Sequence, residues 1–140
     1  KEGMAVNYGN LGTVYKIRGE LDRAIDYHRQ ALAIHEALGA KEGAANQYGN
    51  LGLVYQINGK NDQAIDYHRK ALIQNEALGN KEGMAAAYGN LGLAYQTGGK
   101  LDRAIEYWKK SLALFTEIGM QPQMMQVQSL LDGVNSKHPE

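Results

Sequence analysis

Cysteine is absent from this chain, so it can form no disulfide framework and offers no thiolate to a metal; its composition fits a reducing compartment. Proline is nearly absent too. Pro122 and Pro139 both lie near the C-terminus, and everything before them is free of the residue that breaks helices. No sign of charge predominates: 15 Lys and Arg balance 15 Asp and Glu, which argues against attachment to nucleic acid or an anionic membrane by bulk electrostatics. No apolar run approaches the roughly 20 residues that span a bilayer, and the chain opens on charged Lys1 and Glu2 where a signal peptide would place its basic and apolar regions. The expected location is the cytoplasm. Serines are scarce, at Ser111, Ser129 and Ser136, and none stands in a triad-like pattern with a histidine and an acid. No catalytic residue, metal site or cofactor is expected, and the protein is not expected to be an enzyme.

What the chain does have is repetition. Blocks beginning at Lys1, Lys41 and Lys81 align without a gap at a period of 40 residues: KEGMAVNYGNLGTVYKIRGELDRAIDYHRQALAIHEALGA, KEGAANQYGNLGLVYQINGKNDQAIDYHRKALIQNEALGN and KEGMAAAYGNLGLAYQTGGKLDRAIEYWKKSLALFTEIGM. Such self-similarity marks a solenoid, whose units bury their apolar faces by stacking on one another. Function then belongs to a shared surface and not to one pocket. Each block carries two helical patterns. Met4, Tyr8, Leu11 and Tyr15 recur at helical spacing until Gly19; Leu21, Ala24, Ile25, His28, Ala31, Leu32, His35 and Leu38 form a second stripe, closed at Gly39. Connections of two or three residues force antiparallel neighbours. The architecture expected is all-α: three helical hairpins (1–40, 41–80, 81–120) and a terminal helix (121–136), in one domain over 1–140.

Within these blocks Tyr8, Asn10, Leu11, Gly12, Tyr15, Gly19, Ala24, Ile25, Tyr27, Ala31 and Leu32, with their copies, resemble the tetratricopeptide repeat. The likeness extends to about Gly119. The ordinary period of that family is 34, so the longer unit here resembles the Pins/LGN adaptors, kinesin light chains and bacterial arrays. The resemblance implies a right-handed superhelix in which the first helix of each hairpin lines a concave groove that holds an extended peptide or a partner helix. It also places Gly12, Gly52 and Gly92 at the contact between the two helices of a hairpin, and turns Gly9, Gly49 and Gly89 toward the groove, where a missing side chain leaves room for a ligand backbone. Each such glycine costs about 1 kcal/mol against alanine in a helix interior, so close packing or close approach of a ligand must offset it.

By the same resemblance Asn10, Asn50 and Asn90 face the groove. A carboxamide carries both donors and acceptors and can pair with both kinds of group on an extended main chain. The alternative is that each asparagine bonds a neighbouring helix and only orders the stack. The flanking positions differ between blocks: Val6, Asn46, Ala86; Thr13, Leu53, Leu93; Lys16, Gln56, Gln96; Ile17, Ile57, Thr97. These would set specificity. Their near-neutral character excludes the carboxylate clamp of chaperone-binding relatives, and a strongly acidic C-terminal peptide with it. The partner expected is a protein or peptide, with no nucleic acid and no membrane.

Other residues read as structure. The nine tyrosines are accounted for by packing. His28 and His68 occupy a stripe position that Trp108 fills in the third block, and protonation there would loosen the stack below neutral pH. Asp22, Asp26, Asp62, Asp66, Asp102 and Glu106 read as the solvated face of the second helix. The tail loses the YGNLG segment, and Met124, Met125, Val127, Leu130 and Leu131 form an amphipathic helix, begun at Pro122, that covers the third hairpin. The chain opens abruptly at a repeat boundary, as a piece of a longer array would. That opening makes self-assembly the rival function, because the uncapped first hairpin would expose Met4 and Val6 to another copy, head to tail or by exchange of a hairpin. The second block holds Asn61 where Leu21 and Leu101 stand, and Gln74 and Asn75 opposite apolar or aromatic residues, so polar groups there need partners from water or a second chain.

Overall fold

The computed structural model describes residues 1–137, with side chains through residue 134. Ser136 and Pro139 fall outside that side-chain description. The described residues form helices and no strand: α1 (Glu2–Ile17), α2 (Leu21–Leu38), α3 (Lys41–Ile57), α4 (Asn61–Leu78), α5 (Lys81–Thr97), α6 (Leu101–Glu117) and α7 (Gln121–Lys137). Each helix packs on its neighbours in the chain; beyond that, α1 reaches α3 and α3 reaches α5. This is an α-solenoid of three hairpins with α7 laid on α6.

The helices stop where the backbone turns left-handed. Gly39 and Gly79 each have φ of 68°. Behind Gly39 the Ala40 amide donates to the His35 carbonyl at 2.8 Å and the Gly39 amide to the Glu36 carbonyl at 3.1 Å, which satisfies carbonyls the helix end would leave bare. A side chain at that φ would strain the backbone, so the short turns need glycine.

Inside each hairpin the two helices meet at a glycine opposite a ring. A Cβ built on Gly12, Gly52 or Gly92 would lie 2.7 Å from His28, 2.5 Å from His68 or 2.4 Å from Trp108. The family-based placement of these glycines therefore holds, and the close approach offsets their low helix propensity. The tyrosines form a three-ring cluster per hairpin: Tyr27 lies between Tyr8 and Tyr15, Tyr67 between Tyr48 and Tyr55, and Tyr107 between Tyr88 and Tyr95. Arginines tie one hairpin to the next, Arg29 donating to the Tyr55 hydroxyl at 2.5 Å and Arg69 to the Tyr95 hydroxyl.

The uncapped first hairpin exposes Val6 and the seam beside it, as the sequence predicts: Leu11 and Val14 are 38% and 47% exposed, whereas Leu51 and Val54, their equivalents in α3, are 0% exposed. The reason is stacking, since α2 covers α3 while no described hairpin covers α1. Met4 and Leu38 are exposed as well. The polar groups of the second block are partly satisfied inside the chain, while Asn61 Oδ1 is buried without a partner. Asn61 donates from Nδ2 to the Ala94 carbonyl at 2.9 Å, bonding the start of α4 to the last turn of α5, and Asn75 Oδ1 accepts from Asn80 at 3.2 Å. At the other end Val127, Leu131 and Val134 of α7 share a buried cluster with Leu91, Tyr95, Trp108 and Phe115. Among the described residues no helix is long and apolar enough to cross a membrane.

Candidate functional site

The surface made by the first helices carries two clefts, one at each junction between successive hairpins. The first, about 390 Å³, is lined by Val6, Gly9, Asn10 and Thr13 of α1, by Gly43, Asn46, Gln47 and Asn50 of α3, and by His35. The second, about 180 Å³, is lined by Ala45, Asn46, Gly49, Asn50 and Leu53 of α3, by Gly83, Ala86, Ala87 and Asn90 of α5, and by His68, Ala71 and Asn75 of α4. Asn46 and Asn50 belong to both, so the clefts join into one track. Helical geometry accounts for this: residues three or four apart share a face, and the 40-residue offset repeats that face on α1, α3 and α5.

Asn10, Asn50 and Asn90 all lie on the track. Asn10 is exposed, while Asn50 and Asn90 are half-buried. Asn50 turns Nδ2 toward Gln47 Oε1 at a long 3.5 Å. Thr13 and Val6 line the first cleft, Leu53 and Ala86 the second. Lys16, Gln56 and Gln96 line neither, and Ile17, Ile57 and Thr97 are exposed outside the clefts. Leu93 packs against the core under α7 and lines neither cleft.

The groove-facing glycines are not equivalent, which corrects the expectation that all three leave room for a ligand. Gly9 is covered, with a built Cβ 3.0 Å from Gln47 Nε2; Gly89 has Ser111 Oγ at 3.4 Å; Gly49 has nothing within 4 Å. Sequence reading missed Gln47, whose counterparts Asn7 and Ala87 gave no sign of its role. Its carboxamide crosses Gly9, and its Oε1 accepts from His28 Nδ1 at 2.8 Å. The available signal was the coincidence of a polar residue on the inner stripe with a histidine in the preceding helix.

Burial governs the histidines. It holds His28 below the ordinary imidazole range, with the Gln47 hydrogen bond acting the other way and the Lys16 charge lowering it further. His68 is buried with neither ring nitrogen hydrogen-bonded, and desolvation alone lowers it to about 4. The His35 ring packs on Gly43 with its Nδ1 unpartnered. Among the described residues no cluster of three or more His, Asp or Glu side chains is placed to hold a metal ion. The side chains on this track offer hydrogen-bond donors and acceptors and small apolar surfaces.

Comparison with known proteins agrees with this fold. One tetratricopeptide repeat model matches residues 43–117 and a second matches residues 8–38. No curated protein matches the sequence. Among solved structures, MamA is 30% identical, with a TM-score of 0.70 over 86% of this chain and 63% of its own. The TPR domain of Arabidopsis FLU is 22% identical, with a TM-score of 0.78 over 82% of this chain and 97% of its own. A Rap protein solved in complex with competence and sporulation factor is 22% identical, with a TM-score of 0.87 over 97% of this chain and 38% of its own. This chain therefore spans well under half of that Rap protein, and the two likenesses below 25% identity establish the fold alone. With both halves of its repeat pattern matched, the chain belongs to the tetratricopeptide repeat family, a family of protein-interaction scaffolds.

Proposed function

We propose that this chain is a non-catalytic, cytoplasmic interaction module that holds an extended peptide along the track formed by α1, α3 and α5. The observation that carries the proposal is the joining of the two clefts through Asn46 and Asn50, with Asn10 at one end and Asn90 at the other. Repeated carboxamides offer alternating donors and acceptors to a main chain whatever its side chains, while Val6, Thr13, Leu53 and Ala86 between them select side chains by size. The Rap protein bound to its factor shows that a structural relative engages another molecule, which supports a ligand-binding reading. The test is capture of partners by the wild-type chain and by a variant with Asn10, Asn50 and Asn90 all changed to Ala, after matched circular dichroism. The proposal expects capture to fall at least tenfold; undiminished capture by a folded variant refutes it.

A second reading, self-association, rests on the exposed Val6, Leu11 and Val14 of α1. Leu51 and Val54, the counterparts of Leu11 and Val14 in α3, are covered by the preceding hairpin, so the end of another copy could cover α1 in the same way. Light scattering over a concentration series decides it, a constant monomer mass excluding the reading.

A further inference from the structure

Three successive junctions present the same three-part contact with different residues. At the first, His28 faces Gly12 and is capped by Gln47 of the next helix, whose carboxamide crosses Gly9. At the third, Trp108 faces Gly92, and Val127 of α7, at the Gln47 position, joins it in one apolar cluster. The first pairing is matched in polarity; in the third Val127 meets the apolar body of the indole and leaves its one polar atom, Nε1, unpartnered. At the second, His68 faces Gly52, and the position of Gln47 and Val127 is held by Ala87, which is too short and apolar to reach a ring nitrogen. His68 is 0% exposed and has neither nitrogen hydrogen-bonded, although it lines the second cleft beside Gly49, Ala71 and Ala87. A buried polar group without a partner is destabilising unless something supplies one. Gly49 has open space above it, where Gly9 is crossed by Gln47.

The geometry points to a specificity site in the second cleft: a primary carboxamide side chain, that of glutamine in a bound peptide, crosses Gly49 between α3 and α5 and bonds His68 as Gln47 bonds His28. The occupant is named by the molecule itself, because the neighbouring junction holds that group against the same ring over the same glycine. A carboxamide fits better than a carboxylate, since His68 is buried and neutral and no cationic side chain lines the cleft to balance a charge. The His68 ring lines the cleft among Gly49, Ala71 and Ala87 but is 0% exposed, so entry requires these neighbours to shift slightly, and binding of the side chain alone is weak. Asn46, Asn50 and Asn90 at the same cleft are placed to hold the main chain on either side. This inference rests on the groove reading and adds to it the side chain that is selected.

The test uses the whole chain, ¹⁵N-labelled, titrated with N-acetyl-glutamine-N-methylamide while the histidine ring nitrogens are followed by NMR. Capped glutamate and capped methionine are the comparison probes. The site predicts a saturable shift at His68 and at the Gly49 and Ala87 amides from the glutamine probe, at least fivefold weaker with glutamate or methionine, with His28 and His35 unmoved. Ala87→Gln should abolish the shift by supplying the carboxamide internally. Gln47→Ala should create a second responding ring at His28. No shift at His68, an equal shift from methionine, a shift centred on His35, or a response that persists in a folded A87Q variant would each overturn the site. Should A87Q bind a captured partner as the wild type does while the triple asparagine variant does not, the groove reading stands and the His68 site falls. Loss of neither refutes both.

Discussion

The first and second clefts are built from the same repeat and differ at several matched lining positions, of which Gln47 against Ala87 decides whether the buried histidine of the junction is hydrogen-bonded. In the first, Gln47 crosses Gly9 and caps His28; in the second, Ala87 leaves Gly49 uncovered and His68 uncapped. The difference teaches that repetition fixes the frame of a solenoid, while its chemistry is set by single positions where successive helices meet. A residue in one hairpin finishes the core of the hairpin before it, so no repeat can be read alone.

The comparison can be broken most severely at the glycine shared by all three junctions. Gly52→Ala places a methyl 2.5 Å from the buried His68 ring, and overpacking of this kind is expected to destabilise the chain by about 3 kcal/mol. Urea unfolding measures it; a loss below about 1 kcal/mol would mean that the junction is loose. The next effect is that of pH. His68 in the folded chain titrates at about 4, below its ordinary 6.5, so the unfolded chain takes up the proton first. Stability is then full above pH 6.5 and is lost as pH falls toward 4, His28 adding in the same direction. Between pH 7.5 and pH 5 the loss due to His68 should be about 2 kcal/mol, and His68→Phe, which is apolar and similarly flat, should reduce that pH dependence.

Smaller changes sharpen the contrast between the clefts. Gln47→Ala leaves His28 uncapped, as His68 is, and should cost about 1.5 kcal/mol by thermal unfolding, the price of an unpaired buried polar group. Gly49→Ala meets nothing within 4 Å and should stabilise α3 by about 1 kcal/mol through helix propensity. Gly9→Ala, crowded by Gln47, should gain less. Equal gains at the two glycines would deny that the clefts differ.

Much of the fold was legible in the sequence because its causes are local and periodic. Helical spacing, left-handed glycines between helices and the tetratricopeptide pattern each act over a few residues, and repetition displays them three times. The Gly12, Gly52 and Gly92 contacts were legible through the family pattern. What escaped were effects set by neighbours across a junction. Leu11 looks like Leu51 in sequence but lacks a covering hairpin, Asn61 has the Ala94 carbonyl as partner, and Gln47 covers Gly9 while Ala87 leaves Gly49 bare. Those depend on which residues stand opposite in space, and spacing along one helix carries no record of that.

Peptide display with the whole chain as bait, followed by amide shift mapping of a selected peptide on the ¹⁵N-labelled protein, tests the groove most directly. The account predicts a continuous band of perturbed residues on α1, α3 and α5 through Asn10, Asn50 and Asn90, densest around Gly49 and Ala87. Perturbation confined to the acidic faces of α2, α4 and α6 or to the outer face of α1, or no enriched peptide at all, would contradict it.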